Sequence, residues 1–101
     1  MLRYYIIHVP WMFWAKAMAI YPWIFYRGYV SKWTMNEERI HLWQQLKYWL
    51  IGFYVIYVYD YIRNRMAGMD HWTAYRNIRF EKEAKENRWN LNYLDQINGK
   101  I

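Results

Sequence analysis

A long apolar segment in the middle of the chain constrains its fold more than any other feature. Residues 48–59 carry no charge, and the wider stretch from Trp43 to Ile62 contains 20 residues, with Lys47 as its one cation. A helix of about 20 apolar residues is long enough to cross a bilayer, and a lysine near its end can extend its amine to the headgroups. Asp60 follows at the far boundary. The segment therefore predicts a single transmembrane helix.

Signals for a helix start and a helix stop lie on either side of this segment. The sequence Thr34–Glu37 matches a capping box, in which two side chains satisfy free amides at a helix start, and Gly68 suits a helix end. These signals predict a helical unit over residues 34–66. We expect three basic side chains near the ends of the apolar segment to bind lipid headgroups, namely Lys47, Arg63 and Arg65.

One face of the predicted helix is aromatic. At about 100° per residue, the aliphatic side chains and the aromatic ones fall on two neighbouring stripes. A Tyr hydroxyl at membrane depth needs a hydrogen-bond partner that lipid tails do not supply. We therefore expect the aromatic stripe to face a partner protein, through Trp43, Leu50, Tyr54, Tyr57 and Tyr61.

Residues 1–33 form an aromatic segment and a linker. The stretch from Tyr4 to Tyr26 is mostly apolar, but Pro10 and Pro22 leave an unbroken piece of roughly 18 Å, too short for a bilayer of roughly 30 Å. Trp and Tyr accumulate at membrane interfaces. We therefore expect an N-terminal helix that lies in the membrane interface, with a kinked second span as the alternative.

Residues 67–101 are expected to lie outside the membrane. Asp70 is a plausible N-cap, and the stretch from His71 to Trp89 carries acid–base pairs four residues apart on one side of a predicted helix. Its thin apolar stripe is expected to contact a partner through Trp72 and Tyr75. The tail from Asn90 onward is expected to lie extended on a neighbour. The whole pattern predicts an all-α fold.

No motif in the sequence indicates catalysis. There is no Cys, and His8, His41 and His71 lie about thirty residues apart, unlike the closely spaced histidines of helical metal sites. Phosphate-binding loops and nucleophile elbows are also absent. We expect a protein that is not an enzyme and has no metal or cofactor. Its net charge of +6 is spread along the chain, which favours phospholipid, with cardiolipin as one candidate, over nucleic acid.

The region from Gly52 to Glu83 carries a family resemblance. Gly52, Ile56 and Asp60 stand near the end of the predicted span, followed by the sequences Thr73–Asn77 and Phe80–Glu83. This arrangement resembles the short MNLL-type accessory subunit of mitochondrial complex I, the NADH dehydrogenase of the respiratory chain. The resemblance implies a non-catalytic subunit of the mitochondrial inner membrane. It would support assembly and stability of an electron-transport complex, in contact with other subunits.

Other functions remain open on the same sequence. A small subunit of another respiratory complex or of ATP synthase would carry a similar span. A helical module that binds lipid or quinone between two apolar segments belongs to a different class. A third possibility is an all-α interaction domain outside the membrane, whose many aromatic residues, 24% of the chain, form a core.

Overall fold

The computed structural model describes residues 3–98, and within them a three-stranded sheet precedes five helices. The strands are β1 (Tyr5–His8), β2 (Ala17–Ile20) and β3 (Trp23–Tyr26). The helices are α1 (Lys32–Lys47), α2 (Ile51–Met66), α3 (His71–Arg76), α4 (Arg79–Asn87) and α5 (Tyr93–Asn98). The prediction of an all-α fold is therefore wrong, because the N-terminal segment expected to form an interfacial helix is a β-sheet.

The sheet is formed by residues that favour extended backbone. β3 is its central strand and pairs in parallel with β1 and antiparallel with β2. β1 and β3 consist of Ile, aromatic residues and one His, and such branched or aromatic side chains fit the pleated surface of a sheet. Pro10 and Pro22 lie in the connections between strands. Ile24 of β3 is fully buried on the face of the sheet that packs against α1.

The predicted transmembrane helix is divided by a turn. Trp49 and Leu50 have φ angles of 61° and 54°, and the Ile51 amide donates to the Trp49 carbonyl, so the helix cannot continue through Leu50. α2 then folds back against α1. Within residues 3–98, no helix has both the length and the apolar character that a membrane crossing requires. The predicted span is therefore wrong, and so is the inner-mitochondrial-membrane location that depended on it.

The helix boundaries agree with the sequence in part. α1 begins earlier than predicted, because the Ser31 hydroxyl accepts a hydrogen bond from the Thr34 amide at 3.2 Å. The stop at Gly68 is confirmed by its φ of 97°, and the cap at Asp70 by a 2.8 Å bond from the Thr73 amide. The helix predicted over residues 71–89 divides into α3 and α4, and the tail expected to be extended contains α5.

Two apolar clusters hold the helices together. In the first, Ile40 and Trp43 of α1 pack on α4 and α5, and in the second the rings of Phe53 and Phe80 stack at 4.6 Å. Asp60, expected at a membrane boundary, is instead buried and fixes α2 to the start of α4. It accepts hydrogen bonds from the backbone amide, Nε and one terminal nitrogen of Arg79 at 2.8–3.1 Å.

Candidate functional site

A cavity of ≈ 420 Å³ opens between β2 and the helices. All four residues of β2, Ala17–Ile20, line one side, and phenol rings from α2 and α3 line part of the helical side. Besides Gln45 and Phe53, the rest of the helical side contains buried carboxylates and one imidazole, which is unusual because such groups seldom leave water unpaired. A volume of this size falls in the range of small-molecule sites.

His41 is held in one orientation by Gln44. The Gln44 amide nitrogen donates to the Phe80 carbonyl at 3.0 Å and to the Glu83 carboxylate at 2.8 Å. The Gln44 side-chain oxygen therefore faces His41, and Nδ1 of His41 lies 2.9 Å from it. Since this oxygen can only accept, Nδ1 carries a proton and donates. The other ring nitrogen, Nε2, is directed into the cluster of carboxylates.

Glu81 lies opposite His41 across the cavity wall. One carboxylate oxygen, Oε2, accepts a hydrogen bond of 2.7 Å from the Tyr57 hydroxyl. The other oxygen, Oε1, is 3.4 Å from Nε2 of His41 and has no hydrogen-bond partner among residues 3–98. A charge-assisted hydrogen bond is usually 2.7–2.9 Å long, so this ion pair is a loose one.

Glu37 has a similar division of roles between its two oxygens. Its Oε2 accepts a hydrogen bond from the Lys85 amine. Its Oε1 is buried, lies 3.3 Å from a terminal nitrogen of Arg88, and makes no hydrogen bond within the described part of the chain. Lys85 and Arg88 are both partly exposed, so they can shift without burying an unpaired charge.

Glu37, His41 and Glu81 place possible metal-ligand atoms close to one another. One ligand atom from each of Glu37, His41 and Glu81 lies within 4.8 Å of the others, and all three residues are more than nine-tenths buried. Two ligands bound about 2.1 Å from a tetrahedral ion would be about 3.4 Å apart. The separation of 3.4 Å between Nε2 of His41 and Oε1 of Glu81 is therefore long for a hydrogen bond and suitable for two ligands of one cation.

The electrostatics of the cluster follow from burial and from these pairs. Burial alone would lower the pKa of His41, but Glu81, Glu38 and Gln44 outweigh it and raise the pKa to about 9. Burial raises the pKa of Glu38 to about 7, against the opposing charge of His41. For Glu81, burial would raise the pKa, yet His41 and the hydroxyls of Tyr57 and Tyr75 hold it below its ordinary value.

The residues predicted to face a partner fall into different environments. Trp43 is buried in the core, whereas Tyr54, Tyr57 and Tyr75 line the cavity. The other three lie elsewhere on the molecule: Leu50 is half-buried in the turn between α1 and α2, Tyr61 contacts His71, and Trp72 is exposed. Contact of any of them with a partner stays a prediction.

The three cations predicted to bind headgroups each lie over an aromatic ring. Lys47 is over Trp43 at 4.9 Å, Arg63 over Tyr59 at 5.8 Å and Arg65 over Tyr61 at 6.0 Å. Such cation–π contacts are a structural use for these side chains. Their binding to lipid stays a prediction, and it no longer follows from a transmembrane helix.

The grouping of Glu37, His41 and Glu81 was not predicted from the sequence, although part of its signal was present. Glu37 and His41 are four residues apart and Glu38 and His41 are three apart, so all three lie on one side of a helix. The expectation that no carboxylate stands at ligand spacing from a histidine is therefore wrong for His41. Glu81 is forty residues from His41 in sequence, and only the packing of α4 on α1 brings the two together.

Comparison of the chain with protein-family models, with curated proteins and with solved structures finds no match.

Proposed function

We propose that this protein is a metal-binding domain in which Glu37, His41 and Glu81 hold one divalent transition-metal ion at the wall of the cavity. One observation carries the proposal. Glu37 and Glu81 each use Oε2 in a supporting hydrogen bond and leave a buried Oε1 that makes none within residues 3–98, and Nε2 of His41 lies 3.4 Å from the Oε1 of Glu81. An orphaned buried carboxylate oxygen costs free energy, and a cation would remove that cost at both carboxylates together.

The surroundings of the three residues support metal binding. Metal-bound histidines usually donate their second ring N–H to an oxygen acceptor, which orients the ring and directs the free nitrogen at the ion. Gln44 supplies that acceptor, and Tyr57 and Lys85 orient the two carboxylates in the same way. Binding would displace the proton from Nε2 of His41, as it does at any histidine ligand.

One imidazole and two carboxylates favour a particular group of metals. Imidazole suits Zn²⁺ and Fe²⁺, while carboxylates suit harder cations such as Mn²⁺. The site has no thiolate, which makes Cu⁺ unsuitable. Three protein ligands leave a fourth position open, and since all three residues line the cavity, a water or a small molecule would reach it from there. We expect Zn²⁺ to be the best first probe.

Titration of the chelator-treated chain with Zn²⁺ by isothermal calorimetry tests the proposal. We expect saturation at one ion per chain. His41→Gln and Glu81→Gln preserve shape but remove a ligand, so they are expected to weaken binding by more than the roughly 10–100-fold that follows loss of an outer-sphere partner. Glu81→Gln can still accept a hydrogen bond from Tyr57, which protects the fold.

His71→Gln serves as the matched control. His71 is an exposed histidine whose Nδ1 pairs with the Tyr61 hydroxyl, away from the cavity. This variant is expected to bind Zn²⁺ as the parent does. Circular dichroism spectra show whether each variant is folded. The proposal would be refuted by a folded parent that does not bind Zn²⁺, or by equal binding in the parent and Glu81→Gln.

The metal-binding proposal does not depend on the functions that the sequence alone suggested. An accessory role in a respiratory complex, and the lipid- or quinone-binding module, stay predictions that no comparison tests. The helical hairpin assumed for the module is absent from residues 3–98, where the first apolar segment forms the sheet. The expectation that the protein is not an enzyme likewise stays a prediction, because an open metal position is compatible with catalysis.

A further inference from the structure

The outer face of the sheet is entirely apolar. The strand register places Tyr5, Trp23 and Ile20 in one row across the sheet, and Ile7, Phe25 and Met18 in the next row on the same face. The opposite face carries Ile24 and packs on α1. A sheet that packs on one side usually alternates apolar and polar residues along its strands. This outer face has no charged side chain, and Tyr5, Ile7, Ile20 and Trp23 are exposed.

A loop of aromatic residues extends this face. Between β1 and β2, Trp11, Phe13 and Trp14 have 74%, 84% and 54% of their surface exposed. Met12 between them is fully buried, and its amide donates to the Val9 carbonyl at 3.1 Å, so the loop is anchored while its rings point outward. Trp14 Nε1 contacts the sulfur of Met18, which connects the loop to the outer face of the sheet.

The same part of the chain has cations and no carboxylate. Residues 1–36 contain Arg3, Lys16, Arg27 and Lys32, and the first acidic residue of the sequence is Glu37. Arg3 and Lys16 are exposed. All 8 acidic residues therefore follow residue 36, and Arg3 and Lys16 place positive charge in the segment that carries the exposed rings.

We propose that this N-terminal apolar surface, consisting of the loop rings Trp11, Phe13 and Trp14 and the outer face of the sheet, binds to an anionic phospholipid bilayer. The rings would enter the boundary between headgroups and acyl chains, and the basic residues would attract the lipid phosphates. The protein would lie on the membrane without crossing it. The three loop rings do not line the cavity that contains Glu37, His41 and Glu81, although Met18 and Ile20 of the sheet do.

The composition of the surface favours lipid over the other partners that a basic, aromatic surface can bind. Single-stranded nucleic acid stacks its bases on aromatic rings along a groove rich in cations. Ile7 and Ile20 cannot stack on bases, and only a few basic residues accompany them. Protein interfaces usually have a polar rim, whereas the segment that carries this surface, residues 3–36, contains Arg and Lys but no Asp or Glu. A bilayer with anionic headgroups matches both the apolar centre and the uniform charge.

Vesicle sedimentation tests this proposal with the full chain. We expect binding to vesicles of equal parts phosphatidylcholine and phosphatidylglycerol, and much weaker binding to phosphatidylcholine alone. Burial of a Phe side chain contributes enough that Phe13→Ala is expected to weaken binding about tenfold or more. Lys16→Glu changes the charge by two units and is expected to weaken binding to the anionic vesicles about tenfold or more, with little effect on phosphatidylcholine.

Two matched variants act as controls. Trp49→Ala removes an aromatic side chain that is 87% exposed but lies in the turn between α1 and α2, and Lys82→Glu reverses an exposed lysine of α4. Neither is expected to change vesicle binding. The proposal is overturned if the folded chain ignores anionic vesicles, or if the control variants lose as much binding as Phe13→Ala. It is also overturned if Phe13→Ala affects only self-association or oligonucleotide binding.

Discussion

The contact between Asp60 and Arg79 predicts how the free energy of unfolding changes on substitution of Asp60 and how that change depends on pH. Asp60 is buried and accepts three hydrogen bonds from Arg79. A hydrogen bond to a charged group contributes about 1.5–3 kcal/mol, but half of the Arg79 side chain is exposed, so water can replace part of this contribution. We expect Asp60→Asn to lower the free energy of unfolding by about 2 kcal/mol at neutral pH.

The effect should depend on pH in a way that identifies the carboxylate. The hydrogen bonds of Arg79 hold the pKa of Asp60 below its ordinary value of 3.8. A carboxyl group with a lowered pKa contributes stability that is fully present above its unfolded-state pKa and is lost as the pH falls through the folded-state pKa. The difference between the parent and Asp60→Asn should therefore begin to shrink as the pH falls below 3.8, where the unfolded chain takes up the proton, and should disappear below the lower pKa of the folded chain.

Urea denaturation followed by tryptophan fluorescence measures both effects, at neutral pH and again in acid at about pH 3. Glu86→Gln is the control, because Glu86 is an exposed carboxylate on α4, and it should change stability by less than about 0.5 kcal/mol. A neutral-pH loss for Asp60→Asn that is as small as that of the control would refute the buried contact. A loss that stays constant into acid would refute the role of the charge.

Two further predictions concern the turn and the core. Trp49→Gly should be more stable than Trp49→Ala by about 1 kcal/mol, because residue 49 has a φ of 61° that disfavours any Cβ; equal urea midpoints would contradict this. Phe80→Ala should cost about 3–5 kcal/mol, because its ring is buried against Phe53. Phe13→Ala, on an exposed ring, should cost less than about 0.5 kcal/mol, and a similar cost for both would contradict the assigned core.

The boundaries of several helices could be predicted because they depend on local chemistry. Asp70 caps α3 through the amide of Thr73, a contact three residues away, and Gly68 ends α2 with a positive φ that glycine adopts easily. Such signals operate within one turn and do not depend on the rest of the chain. The start of α1 was misplaced because Ser31 and Thr34 are both acceptable caps, and the sequence alone does not rank them.

The turn that divides the predicted span could not be found in the same way. Trp49 and Leu50 have side chains that disfavour positive φ, and neither a Pro nor a Gly marks the break. The turn places Phe53 against Phe80, so packing between distant segments compensates for the local strain. Hydropathy counted along the chain cannot detect such a contact, and a continuous apolar run of this length is compatible with both structures.

The sheet and the candidate site illustrate two further limits. Apolar runs interrupted by prolines are ambiguous between short strands and helix segments, and the tryptophans favoured the prediction of a helix at a membrane interface. In the site, the spacing of Glu37 and His41 was readable from the sequence. The role of Gln44 in orienting the ring, and the approach of Glu81, depend on α4 packing against α1. When a site is formed by two segments, the sequence can indicate the residues that share one helix, but it does not indicate which distant residue packs against them.

Nuclear magnetic resonance of the histidine ring nitrogens tests the central claim most directly. The chain has three histidines, and only His41 is expected to respond to Zn²⁺. On addition of one equivalent, we predict that Nε2 of His41 shifts to a metal-bound value while Nδ1 keeps its proton, since Gln44 holds it. The signals of His8 and His71 should stay in place. Zn²⁺ binding through Nδ1, or a first response at His8 or His71, would contradict the proposed metal site.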